Sequence, residues 1–256
     1  MSMLVSRRSF VAAATTLALP YVWVKRAEAW ADYVHQPWRQ FPFTCIGRVY
    51  LDWNMPKSRC GTGVMIKNRI VLTCAHLCYS DVPGLRGRYP PSGAFEPAAN
   101  TTGSMKKFQV QTAFVPPVWF EEANKSRSDR DYRKMVANDW ALLVLYESPN
   151  VGFLGLDSIG DNYPKSVSHA GYPGIGRGNM WYHEVDIKVE GDLLISQGME
   201  HGIYSGMSGS PFFYAYKKDD YHVCGIHSRG GDNSSEHARV TDELASKARE
   251  LTKEYP

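Results

Sequence analysis

Downstream of Trp30 the chain carries its apolar positions in short, closely spaced runs, and no long stretch of helical period appears before the C-terminal segment. Alternation is plainest around 108–115. Phe108, Val110 and Phe114 fall on one face of an extended chain there, with Gln109 and Gln111 on the other. Comparable β-rich runs predict strands over 46–53, 63–73, 108–115, 140–146, 167–170, 181–189, 193–197, 211–216 and 221–226. Turn chemistry separates several of them, as at Lys67-Asn68, Glu190-Gly191-Asp192 and 217–220. Many short strands in a chain of 256 residues predict an all-β body built as barrels or a sandwich. Residues 241–254 differ: Leu244, Ala248 and Leu251 recur at spacings of four and three, and Thr241 or Asp242 can cap the first turn, which predicts one C-terminal α-helix. Residues 80–106, rich in Pro, Gly, Ser and Asn, and residues 121–137, dense in charge, read as long surface loops.

Charge changes the picture only at the N-terminus. The net charge of +3 is carried entirely by residues 1–29, where Arg7, Arg8, Lys25 and Arg26 face the single acid Glu28. The remaining chain balances 25 basic against 25 acidic residues, so no global field draws it to nucleic acid or an anionic membrane. A charged start, an apolar run over 10–24 and Ala27-Glu28-Ala29 before Trp30 read as a cleavable export signal. Ser6-Arg7-Arg8-Ser9-Phe10 resembles the twin-arginine export motif, so the expected destination is the periplasm or the exterior. Pro20 interrupts a run already short for a bilayer, and no stable membrane insertion is expected once the signal is removed.

Five cysteines, Cys45, Cys60, Cys74, Cys78 and Cys224, suit an oxidising compartment, though an odd count leaves at least one thiol without an intramolecular partner. Cys74-x-His76-x-Cys78 has the residue types of a metal site. On an extended segment, however, neighbouring ligands point to opposite faces and a tetrahedral site needs four, so neither metal nor other cofactor is expected.

Three local patterns carry chemistry. Leu72-Thr73-Cys74-Ala75-His76 ends a β-rich hairpin, Asn138-Asp139-Trp140-Ala141-Leu142-Leu143-Val144-Leu145 puts an acid before a wholly apolar strand, and Gly206-Met207-Ser208-Gly209-Ser210-Pro211 puts a serine in a glycine-rich turn. Acyl transfer needs a nucleophile, a base, a group that fixes the base's tautomer, and donors for the oxyanion. Ser208, His76 and Asp139 fit the first three roles, and the backbone N–H groups of Gly206 and Ser208 fit the fourth.

In their order and strand context these motifs resemble the chymotrypsin-like (trypsin-like) serine peptidases over roughly residues 44–251. Ser208-Gly209-Ser210-Pro211, Gly171-Tyr172-Pro173-Gly174 and Gly225-Ile226-His227 are most similar to the bacterial glutamyl endopeptidase group. The resemblance implies two six-stranded antiparallel β-barrels with a C-terminal α-helix, acting on protein or peptide substrates through an acyl-enzyme. It divides the chain into an export signal over 1–29, a strap or pro-segment over 30–43 and a peptidase domain over 44–256. Within that domain the first barrel is expected over about 44–150, the second over about 160–240 and the helix over 241–254.

The same resemblance makes Gly225–Gly231 the substrate-binding edge strand, with His227, Ser228, Arg229 and Gly230 at the primary pocket and His227 contacting a substrate Glu carboxylate. Ile203 stands where glutamyl enzymes tend to carry a hydroxyl, and Met207 where digestive enzymes carry the aspartate that pairs with a freshly cut N-terminus. Cys78 lies two residues past His76, where many relatives have cysteine directly after the histidine. A Cys60–Cys78 bridge is still expected, closing the hairpin for about 3 kcal/mol, with Cys74 the rival partner.

An α/β-hydrolase esterase fails on length, because its acid and histidine follow the serine by several further strand and helix units and only 48 residues follow Ser208. A catalytically inactive binding protein on the same fold is the alternative that remains.

Overall fold

The structure, a computed structural model, describes residues 38–52, 59–79, 90, 92–99, 106–158, 164–174, 178–197, 205–229 and 234–256. The export signal, most of the 30–43 segment, Ile203 and Gly230 lie outside the described residues.

Six antiparallel strands close the first barrel: β1 (Ile46–Asp52), β2 (Arg59–Lys67), β3 (Ile70–Thr73), β4 (Ser92–Pro97), β5 (Phe108–Phe114) and β6 (Ala141–Leu145), in the order β1-β2-β3-β6-β5-β4. The apolar runs of β3 and β6 are buried at every position, and they pair with each other from Ile70↔Val144 to Thr73↔Ala141. A closed ring explains this, because a central strand has neighbours on both edges and packing on both faces.

The second barrel contains β7 (Gly155–Leu156), β8 (Ser166–Gly171), β9 (Trp181–Glu190), β10 (Leu193–Gln197), β11 (Pro211–Lys217), β12 (Asp220–Arg229) and β13 (Ser234–Arg239). Six of these form the ring β11-β8-β9-β10-β13-β12, closed by pairing of β11 with β12. The two-residue β7 lies parallel to β12 outside the ring. Both barrels of the expected fold are therefore present.

Helix α1 (Ala75–Cys78) follows β3, α2 (Pro117–Asn124) and α3 (Tyr132–Ala137) connect β5 to β6, and α4 (Asp242–Glu254) closes the chain. Thr241 caps α4, its Oγ1 accepting from the Leu244 amide at 3.3 Å, and Leu244, Ala245, Ala248 and Leu251 turn inward. No helix among the described residues is long and apolar enough to cross a membrane.

Two segments expected as loops are partly ordered. Within 80–106, β4 pairs with β1 from Gly47↔Pro97 to Asp52↔Ser92; its Gly, Ala and Pro conceal a strand that exists through partners distant in sequence. Within 121–137 most of the charges are exposed, as on a surface segment, but one is buried in helical structure. The buried Glu122 carboxylate receives Lys125 at 2.8 Å, Lys134 at 3.3 Å and the Asp131 amide at 3.1 Å, and Asp131 caps α3 through the Lys134 amide.

The Cys60–Cys78 bridge is not formed, and all five cysteines are free thiols. Strand parity accounts for it: the missing side chain of Gly61 points at Leu77 of α1, so Cys60, one residue earlier, faces the other way and is exposed while Cys78 is buried. The rival Cys74 is buried with its Sγ 2.9 Å from the His227 carbonyl.

Candidate active site

His76 sits in the single turn of α1, and Asp139 in the tight connection between α3 and β6, where its amide donates to the Val136 carbonyl at 3.1 Å. The Asp139 carboxylate is 5 % exposed and receives three donors. The His76 amide reaches Oδ1 at 2.8 Å, His76 Nδ1 reaches Oδ2 at 2.6 Å, and the Ser228 hydroxyl donates to Oδ2. A carboxylate held by three donors accepts the proton of the imidazole on Nδ1, which makes Nε2 the nitrogen with the lone pair of a base. Ser228, expected on the substrate-binding strand, therefore turns its side chain toward the acid.

Ser208 lies in a turn that both barrels clamp. The Thr62 amide of β2 donates to the Ser208 carbonyl at 2.8 Å, and the Thr62 hydroxyl donates to the Gly206 carbonyl at 2.8 Å while accepting from the Tyr172 amide at 3.0 Å. From the other side, the Gly209 amide donates to the His227 carbonyl and the His227 amide to the Ser210 carbonyl, each at 2.8 Å. Gly206 has φ +101°, and a Cβ there would run into the Tyr172 carbonyl, so only glycine fits. Among the described residues the amides of Gly206 and Ser208 donate to no acceptor, which leaves both free for an anionic oxygen. Met207 is buried and carries no carboxylate to pair with a chain terminus.

The histidine spacing deceived the sequence reading on metal geometry. Cys74-x-His76-x-Cys78 is not extended but bends into α1, and the ligand atoms that converge within 4.8 Å are those of Cys74, His76 and Asp139. These groups are already engaged: Nδ1 and Oδ2 bond each other, and burial pushes the Cys74 thiol well above its ordinary pKa. The set suits orientation of an imidazole better than capture of a cation.

His227 is 4 % exposed and belongs to an array that the sequence did not reveal. Its ring stacks 5.4 Å from His169 and lies 4.9 Å from His237, while His169 stacks on Phe212 at 4.4 Å and meets His183 edge-on at 4.9 Å. Ser196 Oγ pairs with His237 Nε2 at 2.8 Å, but both nitrogens of His169 are buried without partners. Burial lowers every one of these pKa values, to about 4 for His183 and about 3 for His227, so the array is neutral near pH 7. Arg229 at the end of β12 is exposed, and its guanidinium lies 5.6 Å over the ring of Tyr132 in α3.

A family profile described as Trypsin matches residues 39–242. The chain belongs to the trypsin family. Among solved structures, the trypsin-family fold is shared with a Glu endopeptidase in complex with MPD at TM-score 0.68 and 16 % identity, covering 86 % of this chain and 95 % of that one. Protease Anisep from Arthrobacter nicotinovorans follows at TM-score 0.62 and 15 % identity, covering 81 % and 94 %. A mutant of human heparin binding protein (CAP37) superposes at TM-score 0.59 and 17 % identity, covering 88 % and 96 %. No curated protein sequence matches the chain. At these identities the structures speak for the fold, and the family membership makes this a chymotrypsin-like serine peptidase by descent.

Proposed function

We propose that the chain is an exported serine endopeptidase in which Ser208, His76 and Asp139 form the catalytic triad. Ser208 Oγ attacks the scissile carbonyl, His76 takes its proton and passes it to the leaving amine, and the amides of Gly206 and Ser208 receive the oxyanion. Water then repeats the sequence against the acyl-enzyme. The observation that carries this reading is the triply satisfied Asp139 carboxylate holding His76 Nδ1 at 2.6 Å, together with a serine turn whose Gly206 and Ser208 amides donate to no acceptor among the described residues. A heparin binding protein on the same fold supports the rival, a catalytically inactive binding protein, but such a protein has no need of an oriented imidazole.

Glu before the scissile bond is the proposed preference. His227 Nδ1 is buried without a partner, and a neutral ring that leaves Nδ1 unprotonated carries its proton on Nε2, where it can be offered to a carboxylate. A fluorophosphonate probe should label the mature protein at Ser208, and the Ser208→Ala variant should stay unlabelled. Peptide-library digestion should then show cuts after Glu. Unlabelled, correctly folded protein would favour the binding reading, and cuts after basic or large apolar residues would reject the Glu preference alone.

A further inference from the structure

Arg229 follows the strand residue whose hydroxyl touches Asp139, yet its side chain does not turn into the second barrel. It reaches across to the first barrel and lies on Tyr132, whose helix α3 leads directly to Asp139. Both partners stay accessible, Arg229 being exposed and Tyr132 39 % exposed. The platform under the cation is rigid. Asp131 caps α3, and Arg133 ties that helix to the second barrel through Glu190 at 2.9 Å and Glu236 at 3.6 Å.

This network leaves Arg229 unneutralised. Glu236 is its backbone partner across β12 and β13, but the Glu236 carboxylate turns to Arg133, and no carboxylate pairs with Arg229 among the described residues. A guanidinium lying over an aromatic ring at such a distance is held by cation–π attraction, with its N–H edge left outward for a bidentate carboxylate. Arg229 is the last residue of β12, where pairing with β13 resumes at Glu236 after a register shift that follows Ile226, so its side chain stands at the end of the strand that brings Ser228 to Asp139.

We infer that Arg229 and Tyr132 form a substrate subsite that selects an acidic side chain on the acyl side of the scissile bond, separate from the contact proposed for His227. The inference rests on the acyl-transfer reading of Ser208. It is tested with matched pairs of quenched peptides that differ only as Asp or Asn at each of four positions before the cleaved residue. Wild-type protein should prefer Asp at one position by about tenfold in kcat/KM, and the preference should shrink severalfold between low salt and about 0.5 M NaCl. Within each variant the Asp/Asn ratio is its own folding control: it should fall to near one in Arg229→Ala, persist in part in Arg229→Lys, and drop below one in Arg229→Glu. Equal rates on every wild-type pair, or a ratio unchanged in Arg229→Ala, would overturn the subsite. Fluorophosphonate labelling of the wild type separates the two levels, since its absence removes the acyl-transfer reading and this inference with it.

Discussion

The two barrels solve the problem of a buried interior differently. In the first, β3 and β6 are almost wholly aliphatic, and several buried polar side chains find partners: Thr73 Oγ1 donates to the Thr62 carbonyl at 2.7 Å, and Glu96 holds Tyr50 OH at 2.7 Å and Arg48 at 3.2 Å. In the second, Phe212 lies among His169, His227 and His237, and ring nitrogens face the interior without partners. The lesson is a division of labour. The barrel that holds His76 and Asp139 encloses aliphatic strands, whereas the barrel that carries the Ser208 turn and β12 encloses four imidazoles whose pKa values burial lowers.

The largest expected effect tests whether the two barrels act as one catalyst. Ser208→Ala and His76→Ala should each lower kcat by roughly 10⁴-fold or more, and the double variant should be scarcely worse than either alone. Steady-state kinetics of the three variants checks this, and losses that multiply would mean the two residues do not share a step.

Acid should separate the barrels next. A histidine whose folded pKa is depressed binds its proton mainly in the unfolded chain. Its contribution is therefore full above the unfolded pKa of about 6.5 and is lost as pH falls toward about 4 for His183 and about 3 for His227. Each such group costs up to about 1.4 kcal/mol per pH unit, so four together cost about 5 kcal/mol per unit against a typical total of about 5–15 kcal/mol. Glu122, held down to about 2 chiefly by the Lys125 hydrogen bond, adds to the loss below its ordinary range. Urea midpoints measured from pH 7 to pH 5 should drop steeply, and His169→Leu should flatten that slope by about a quarter. A slope untouched by His169→Leu would relocate the acid sensitivity to other groups.

The smallest effect crosses between the barrels. Ser228→Ala removes one of three donors to Asp139, and a hydrogen bond to a charged group is worth about 1.5–3 kcal/mol. A kcat loss of about tenfold with KM little changed is expected from kinetics on the preferred peptide, because His76 keeps both of its own bonds to Asp139.

What could be read in the sequence follows from range. His76, Asp139 and Ser208 each stand in a short motif beside a strand whose apolar pattern is local, and α4 announces itself by period and cap. β4 and β13 did not, because Gly93, Ala94, Ser234 and Ser235 have little strand propensity and are held by ladders to β1, β10 and β12. Thr62 was equally silent: its hydroxyl serves Gly206 and Tyr172, more than a hundred positions away. The histidines of the array are spread over β8, β9, β12 and β13, so no spacing along the chain joins them.

Thr62 also bears on when, during folding, the site is completed. Its amide and hydroxyl reach from the first barrel to the carbonyls on either side of Met207, so the serine turn takes its final shape only against the other half of the molecule. A chain with only the second barrel formed holds the Ser208 turn through His227, without the two bonds from Thr62 and without His76. The constellation of Ser208, His76 and Asp139 thus arrives only with completed assembly of both barrels.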